Sequence, residues 1–224
     1  MTTVLVIGAS RGIGREFVRQ YAADGATVIG TARSEAGQAA VRGEGGEPLS
    51  LDVLDSSAVA ALGTRLGGRA VDIVIVNAGV YGPRVNALTA PGDDEFDQVM
   101  RTNVRAPMQL LSALAPLLTA SHGKTAVVSS KMGSVSMMSS SAGWLYRASK
   151  AAVNVAVKAA SLEFGPRGVV CVAFHPGWVK TDMGGAGADI DVATSVAGMR
   201  RVLAAANESH NGKFLNYGGE QISW

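Results

Sequence analysis

Tyr146 and Lys150, in Tyr146-Arg147-Ala148-Ser149-Lys150, place a phenol and an ammonium four residues apart at the start of an alanine- and valine-rich stretch. If that stretch is helical, the two side chains lie on one face and meet. A free phenol titrates near about 10 and is a poor proton donor at neutral pH, whereas a neighbouring cation stabilises the phenolate and lowers that pKa. Such a pair could protonate an oxyanion forming on a substrate. The same spacing also suits an ordinary surface tyrosine and lysine, so the rest of the chain has to decide.

At the other end, Gly8-Ala9-Ser10-Arg11-Gly12-Ile13-Gly14 follows a short apolar run and leads into a helical pattern. Glycines there permit a tight turn and let a pyrophosphate approach a helix N-terminus, whose free amides and dipole favour anions. The spacing is G-x-x-x-G-x-G and departs from the common G-x-G-x-x-G. These residues also satisfy G-x-S-x-G, the nucleophile elbow of serine hydrolases, with Ser10 as nucleophile and Asp182 and His210 following in the order acid, then histidine. Against the hydrolase, the elbow would follow the very first strand, and only seven residues precede it, leaving no room for a glycine-rich oxyanion segment.

Short β-branched runs at 3–7, 27–31, 48–52, 71–76, 125–129, 169–174 and 213–217 read as seven strands, nearly continuous in apolar residues and so buried on both faces. Between them, 13–23, 56–66, 93–118, 146–164 and 192–205 read as helices, with a weaker one at 35–42. Strand and helix alternate, which implies an α/β fold with a parallel sheet covered by helices on both faces. No linker, repeat or charge block divides the 224 residues, so one domain over 1–224 is expected. The stretch 129–143, rich in serine, methionine and glycine, reads as a functional loop.

Composition narrows the partners. Twenty basic and eighteen acidic residues give a net charge of +2 with no basic stripe, so nucleic acid is not expected. The single cysteine, Cys171, lies in an apolar run and reads as a buried reduced thiol, which fits a reducing cytosol. No signal-peptide core and no membrane-spanning run is present, so a soluble cytoplasmic protein is expected. No cluster of His, Cys and acidic residues has ligand spacing, so no metal is expected.

Gly8-x-x-x-Gly12-x-Gly14, Asn77-Ala78-Gly79, Asn103, a serine ahead of Tyr146-x-x-x-Lys150, and Pro176-Gly177, in this order, resemble the short-chain dehydrogenase/reductase family over essentially the whole chain. The stretch Gly177-Trp178-Val179-Lys180-Thr181-Asp182-Met183-Gly184-Gly185 and the ending from Gly212 to Trp224 resemble its compact C-factor- and sniffer-like branch. The resemblance implies a single-domain, Rossmann-type doubly wound sheet and an oxidoreductase in which Tyr146 is the general acid or base. Lys150 lowers the tyrosine pKa and binds the nicotinamide ribose, and Asn103 completes a proton relay through water. Asn103 stands in Thr102-Asn103-Val104-Arg105-Ala106-Pro107, where asparagine and an interior proline disfavour regular helix and could free a carbonyl. The family's substrate-binding serine falls on Ser130, at the end of the fifth strand, with Ser134 as the alternative; the spacing to Tyr146 is longer than usual.

After the second strand, Thr31-Ala32-Arg33-Ser34 lacks the acid that would bind the two ribose hydroxyls of NAD. Arg33 and Arg11 could instead clamp a 2′-phosphate, which predicts NADP, with NADPH as reductant. Asp52 and Val53 resemble the pair that contacts adenine; Thr181 and Val179, after Pro176-Gly177, match positions beside the nicotinamide; His175 reads as structural. Met132, Trp144, Trp178 and Met183 are expected around the substrate, with Met137 and Met138 nearby, suiting a bulky apolar ketone or aldehyde. The segment 181–191 is short for a lid, so an open site is expected. The resemblance implies pairing of 93–118 and 146–164 between subunits, and the small residues along them would allow the close packing of a homodimer or homotetramer. The contrasting reading is a binding or signalling protein that keeps the cofactor pocket as a sensor.

Overall fold

The computed structural model describes residues 1–84 and 88–224. In chain order the elements are β1 (Thr3–Ile7), α1 (Gly12–Ala23), β2 (Thr27–Ala32), α2 (Glu35–Gly43), β3 (Glu47–Ser50), α3 (Ser56–Ala60), α4 (Leu62–Arg65), β4 (Ile73–Val76), α5 (Asp93–Met100), α6 (Ala106–Ser121), β5 (Lys124–Val128), α7 (Trp144–Phe164), β6 (Val170–His175), α8 (Val192–Ala205) and β7 (Lys213–Asn216). The strands form one seven-stranded sheet in the order β3-β2-β1-β4-β5-β6-β7, and every pairing is parallel. This is the Rossmann-type doubly wound α/β architecture.

Each central strand feeds two cores because its side chains alternate between faces. In β1, Val4 and Val6 join Phe17 and Val18 of α1 and Met199 and Leu203 of α8. Leu5 and Ile7 join Leu110, Leu114 and Leu118 of α6 and Val153 and Val157 of α7 on the other side. Each such buried branched or aromatic side chain contributes about 1.5–3 kcal/mol relative to exposure, which is why the strands read as unbroken apolar runs.

Two helices differ from the sequence expectation. The stretch 56–66 is broken at Ala61 into α3 and α4. The stretch 93–118 is three pieces, in which α5 and α6 flank a π-helical turn at Arg101–Arg105. Pro107 has no N–H, so the α-helical bond to the carbonyl four residues back, that of Asn103, cannot form; the Ala106 N–H instead bonds Arg101, five residues back. β3 ends at Ser50, which leaves Asp52 in the turn beyond it, where its carboxylate accepts from the Leu54 N–H at 3.0 Å. Cys171 is buried in β6, and burial pushes its thiol up to about 12. Among the described residues no helix is long and apolar enough to cross a membrane.

Candidate active site

β1 and β4 are neighbours, yet the chain leaves β1 for α1 on one face and β4 for α6 on the other. Their carboxyl ends therefore border a crevice, the place where open α/β sheets bind ligands. Gly8 (φ +84°) and Gly12 (φ +52°) turn the chain there through backbone that disfavours side chains. A Cβ on Gly8 would come within 2.8 Å of the Ala78 nitrogen, and one on Gly14 would overlap the Gly8 carbonyl oxygen. The Asn77 amide ties the two turns together by donating to that same oxygen at 2.9 Å, and the Gly8 N–H donates to Thr31 Oγ1 at 3.0 Å.

This cradle fits a dinucleotide phosphate. α1 starts at Arg11, whose side chain makes no capping bond, so its first amides face the crevice uncapped by a side chain. The nearest atom to a Cβ on Gly12 would be Thr181 Cγ2, 3.4 Å away, which sets Thr181 across the crevice from the glycine turn. Gly177 (φ +86°) makes the turn after β6 that brings Val179 and Thr181 there, and the Pro176 carbonyl is fixed by Ser195 Oγ at 2.5 Å. At the adenosine end Gly37 packs so closely that a Cβ on it would lie 2.9 Å from Ser10 Cβ and 3.0 Å from Ala32 Cβ, so the turns carrying Arg11 and Arg33 adjoin. Arg33 is exposed, while Arg11 is paired with Asp182 at 2.9 Å, both side chains being more than three-quarters exposed.

Beside the crevice, α7 runs against β5. Its buried stripe of Tyr146, Ser149, Lys150, Val153 and Val157 has the three- and four-residue spacing of one helical face, which places Tyr146 and Lys150 inward together. Lys150 Nζ donates to the Val128 carbonyl at 2.9 Å and sits 5.6 Å from the centre of the Tyr146 ring. Ser130 follows the end of β5; its hydroxyl accepts from Met132 N at 3.1 Å and reaches the Tyr146 phenol. Gly133 lets this segment lie on the backbone of Lys150, since a Cβ there would be 2.7 Å from the Lys150 carbonyl carbon. Ser134 points elsewhere: its hydroxyl donates to the Ser223 carbonyl at 2.6 Å.

Asn103, in the π-helical turn, is buried. Its Oδ1 accepts from the Val80 N–H at 2.9 Å, and its Nδ2 donates to the Val80 carbonyl at 2.8 Å and to Ser149 Oγ at 3.0 Å. The side chain therefore pins the segment after Gly79 to α7. Nothing in the residue pattern announces this second role.

The electrostatics correct one expectation. In the protein by itself burial pushes Tyr146 up to about 12; the Ser130 hydrogen bond opposes this and the Tyr81 phenol adds to it. Burial pulls Lys150 down to about 8. The tyrosine thus moves opposite to the expected direction, because desolvation of the buried phenolate exceeds the opposing Ser130 hydrogen bond.

Trp144 begins α7, and its indole donates to the Thr89 carbonyl at 3.2 Å. Trp178 and Met183 are exposed in the turn after β6, the Trp178 indole donating to Gly184 O at 2.9 Å. Met132 lies next to Gly143, its Cε 3.3 Å from where a Cβ there would be. The serine-hydrolase set is not assembled. Asp182 holds Arg11, and His210 sits in the turn just before β7, bonded to Asn207; in a parallel sheet that is the end opposite Ser10. Sequence reasoning passed over Tyr81, whose ring stacks on Tyr146 at 4.6 Å between centroids; its only signal was a lone aromatic two residues after the Asn77-Ala78-Gly79 turn.

Comparison with known proteins agrees with this geometry. The model of the short chain dehydrogenase family matches residues 2–190. The chain is similar to C-signal of Myxococcus xanthus, 40% identical over 158 residues that cover 69% of this chain and 93% of that protein. Among solved structures it resembles the carbonyl reductase Sniffer of D. melanogaster, with a TM-score of 0.92, 28% identity and full coverage of both chains. It also resembles a short-chain dehydrogenase/reductase from Burkholderia multivorans with bound NADP, with a TM-score of 0.91, 31% identity, and coverage of 100% of this chain and 99% of that one. With the doubly wound sheet, the glycine turn and the tyrosine and lysine of α7 in place, the chain belongs to the short-chain dehydrogenase/reductase family, in its C-factor- and sniffer-like branch.

Proposed function

We propose that the protein reduces a ketone or aldehyde to an alcohol with NADPH. The observation that carries this reading is the convergence of Ser130, Tyr146 and Lys150 at the carboxyl end of β5, beside the glycine cradle of β1. NADPH, when bound, supplies the hydride that reaches the carbonyl carbon. The Ser130 hydroxyl and the Tyr146 phenol hold the carbonyl oxygen, and Tyr146 donates its proton as negative charge develops there. Lys150, buried behind the phenol, stabilises the phenolate that remains. Asn103 keeps the floor of the site in place through Val80.

The amides at the start of α1 receive the pyrophosphate, Asp52 and Val53 flank the adenine, and Asn77, Ala78, Gly79, Val179 and Thr181 line the rest of the cofactor crevice. Arg33, together with Arg11 released from Asp182, receives the 2′-phosphate, and no carboxylate at the end of β2 opposes it. The NADP bound by the Burkholderia relative supports this choice. The exposed Trp178 and Met183, with Met132 and Trp144, form an apolar entrance for a bulky carbonyl compound. Met108 on α6 and Val155 and Leu162 on α7 are 48%, 66% and 68% exposed and give this face the apolar surface for pairing two or four copies of one NADP-binding domain.

The test is Tyr146→Phe. It leaves NADPH binding, read by quenching of tryptophan emission, close to wild type, and lowers turnover of a ketone panel by about 10²–10⁴-fold. Full turnover in the variant overturns the assignment. The 40% identity to C-signal favours a second reading, a signalling protein that uses the pocket as a sensor; for that role Tyr146→Phe is silent in the biological assay while Arg33→Ala is not.

A further inference from the structure

We propose that Tyr81 is a positioning residue for this reaction: its ring holds the Tyr146 phenol in place against Ser130 and keeps water off it. The inference rests on the reading of Tyr146 as the proton donor. Four side chains stand in one pile. The Arg84 guanidinium lies 4.9 Å from the centre of the Tyr81 ring, Tyr81 stacks on Tyr146 at 4.6 Å with 23° between the planes, and Lys150 Nζ lies 5.6 Å from the Tyr146 centre. Offset ring stacking and cations over ring faces are both attractive, so each member restricts the next.

The surroundings of Tyr81 fix it from three sides. Its predecessor Val80 is gripped at both N–H and C=O by the Asn103 amide. Its successor Gly82 has φ +79°, and a Cβ there would come within 2.5 Å of Val99 Cγ2, so only glycine lets the loop lie on α5 in this way. Its hydroxyl occupies the space above Gly143, where any side chain would overlap it. Gly143 is the N-cap of α7, three residues before Tyr146. Arg84 then carries the loop across the site, donating to the Met183 carbonyl at 2.6 Å.

Tyr81 belongs to neither hydrophobic core, so this packing serves the site and not the folding of the sheet. The groups facing the Tyr146 phenol are the Ser130 hydroxyl from the end of β5, the Tyr81 phenol from the loop after β4, and the Lys150 ammonium from α7. Without Tyr81 the phenol would open to solvent, its ionised form would be hydrated, and its ring would be free to turn.

Three variants test this: Tyr81→Phe, Tyr81→Leu and Tyr81→Ala. Tyr81→Phe keeps the stack and retains kcat within about threefold, because a ring of the same shape is present. Tyr81→Ala and Tyr81→Leu lower kcat by about tenfold or more, the scale of a misplaced reacting group, with NADPH affinity and the thermal midpoint little changed. The alkaline limb of the kcat profile in Tyr81→Ala moves to lower pH. A titration of phenolate absorbance, with Tyr146→Phe in each background as the blank, reads the same shift with no substrate. Wild-type kcat and an unshifted Tyr146 titration in Tyr81→Ala overturn the inference. If the wild type binds NADPH and reduces no carbonyl, the reductase reading fails, and the titration still decides whether Tyr81 shields Tyr146.

Discussion

The Lys150 ammonium lies 5.6 Å from the centre of the Tyr146 ring while donating to the Val128 carbonyl, so these two groups from the first two turns of α7 share one buried space. Burial acts on them in opposite senses, discouraging the ammonium of one and the phenolate of the other. Both effects predict a pH dependence of stability.

Lys150 titrates at about 8 when folded, against an ordinary value of 10.5. Between those values the unfolded chain holds a proton that the folded chain has shed, so stability rises with pH across the window, and the cost is fully present below about 8. Its size is on the order of 3 kcal/mol. Lys150→Met removes the rise, which urea midpoints measured at intervals of pH record.

Tyr146 gives the reverse. Its folded value of about 12 stands above the ordinary 10.0, so the folded chain keeps a proton that the unfolded one loses, and stability falls as pH climbs between the two. Tyr146→Phe removes that fall and leaves the Lys150 window untouched. The same urea series separates the two.

Ser130 and Ser134 differ in their partners, and their variants are expected to differ in effect. Ser130→Ala removes a donor to the carbonyl oxygen and lowers kcat by about 10²-fold. Ser134→Ala loses the hydrogen bond to the Ser223 carbonyl and costs about 1 kcal/mol of stability with kcat retained. Steady-state kinetics beside thermal melts of both variants check this.

The Arg11 ion pair with Asp182 is solvent-exposed, so breaking it costs the fold little. Asp182→Ala frees Arg11 for the 2′-phosphate and tightens NADPH binding, with NADH unchanged. Arg11→Ala and Arg33→Ala each weaken NADPH roughly tenfold, the worth of one charge-assisted hydrogen bond. Fluorescence titrations with both cofactors provide the comparison.

Gly14→Ala puts a methyl group onto the Gly8 carbonyl oxygen and 2.6 Å from Asn77 Nδ2. The oxygen is backbone, and the Asn77 amide is held by its own bond to that oxygen, so the cost reaches or exceeds the upper end of the about 1–3 kcal/mol typical of overpacking. Thermal melts show the loss, and NADPH binding weakens with it.

The five inner strands were legible because buried parallel strands read as unbroken apolar runs, whereas the edge strand β3, Glu47–Ser50, has no fully buried residue and does not follow that pattern; α8 was legible to its ends, 192–205. The Tyr146 and Lys150 pairing followed from helical spacing alone. What stayed hidden depends on tertiary packing. The break falls at Ala61, two residues before the glycine of that stretch, Gly63, which does not mark its place. The tyrosine pKa moves up and not down because of burial, which spacing does not report. Tyr81 reaches Tyr146 across 65 residues of chain, and no periodicity connects them.

The π-helical turn at Arg101–Arg105 makes α5 and α6 two helices out of phase. One surplus residue rotates everything downstream by about 100°. Val99 can therefore meet the Gly82 loop while Leu110, Leu114 and Leu118 meet the sheet. Deleting one residue of that turn would yield a more regular helix, indistinguishable in overall helix content, with Asn103 aimed away from Val80. At this point of the chain the irregularity is what aims Asn103, and a more regular helix would give up its hold on Val80.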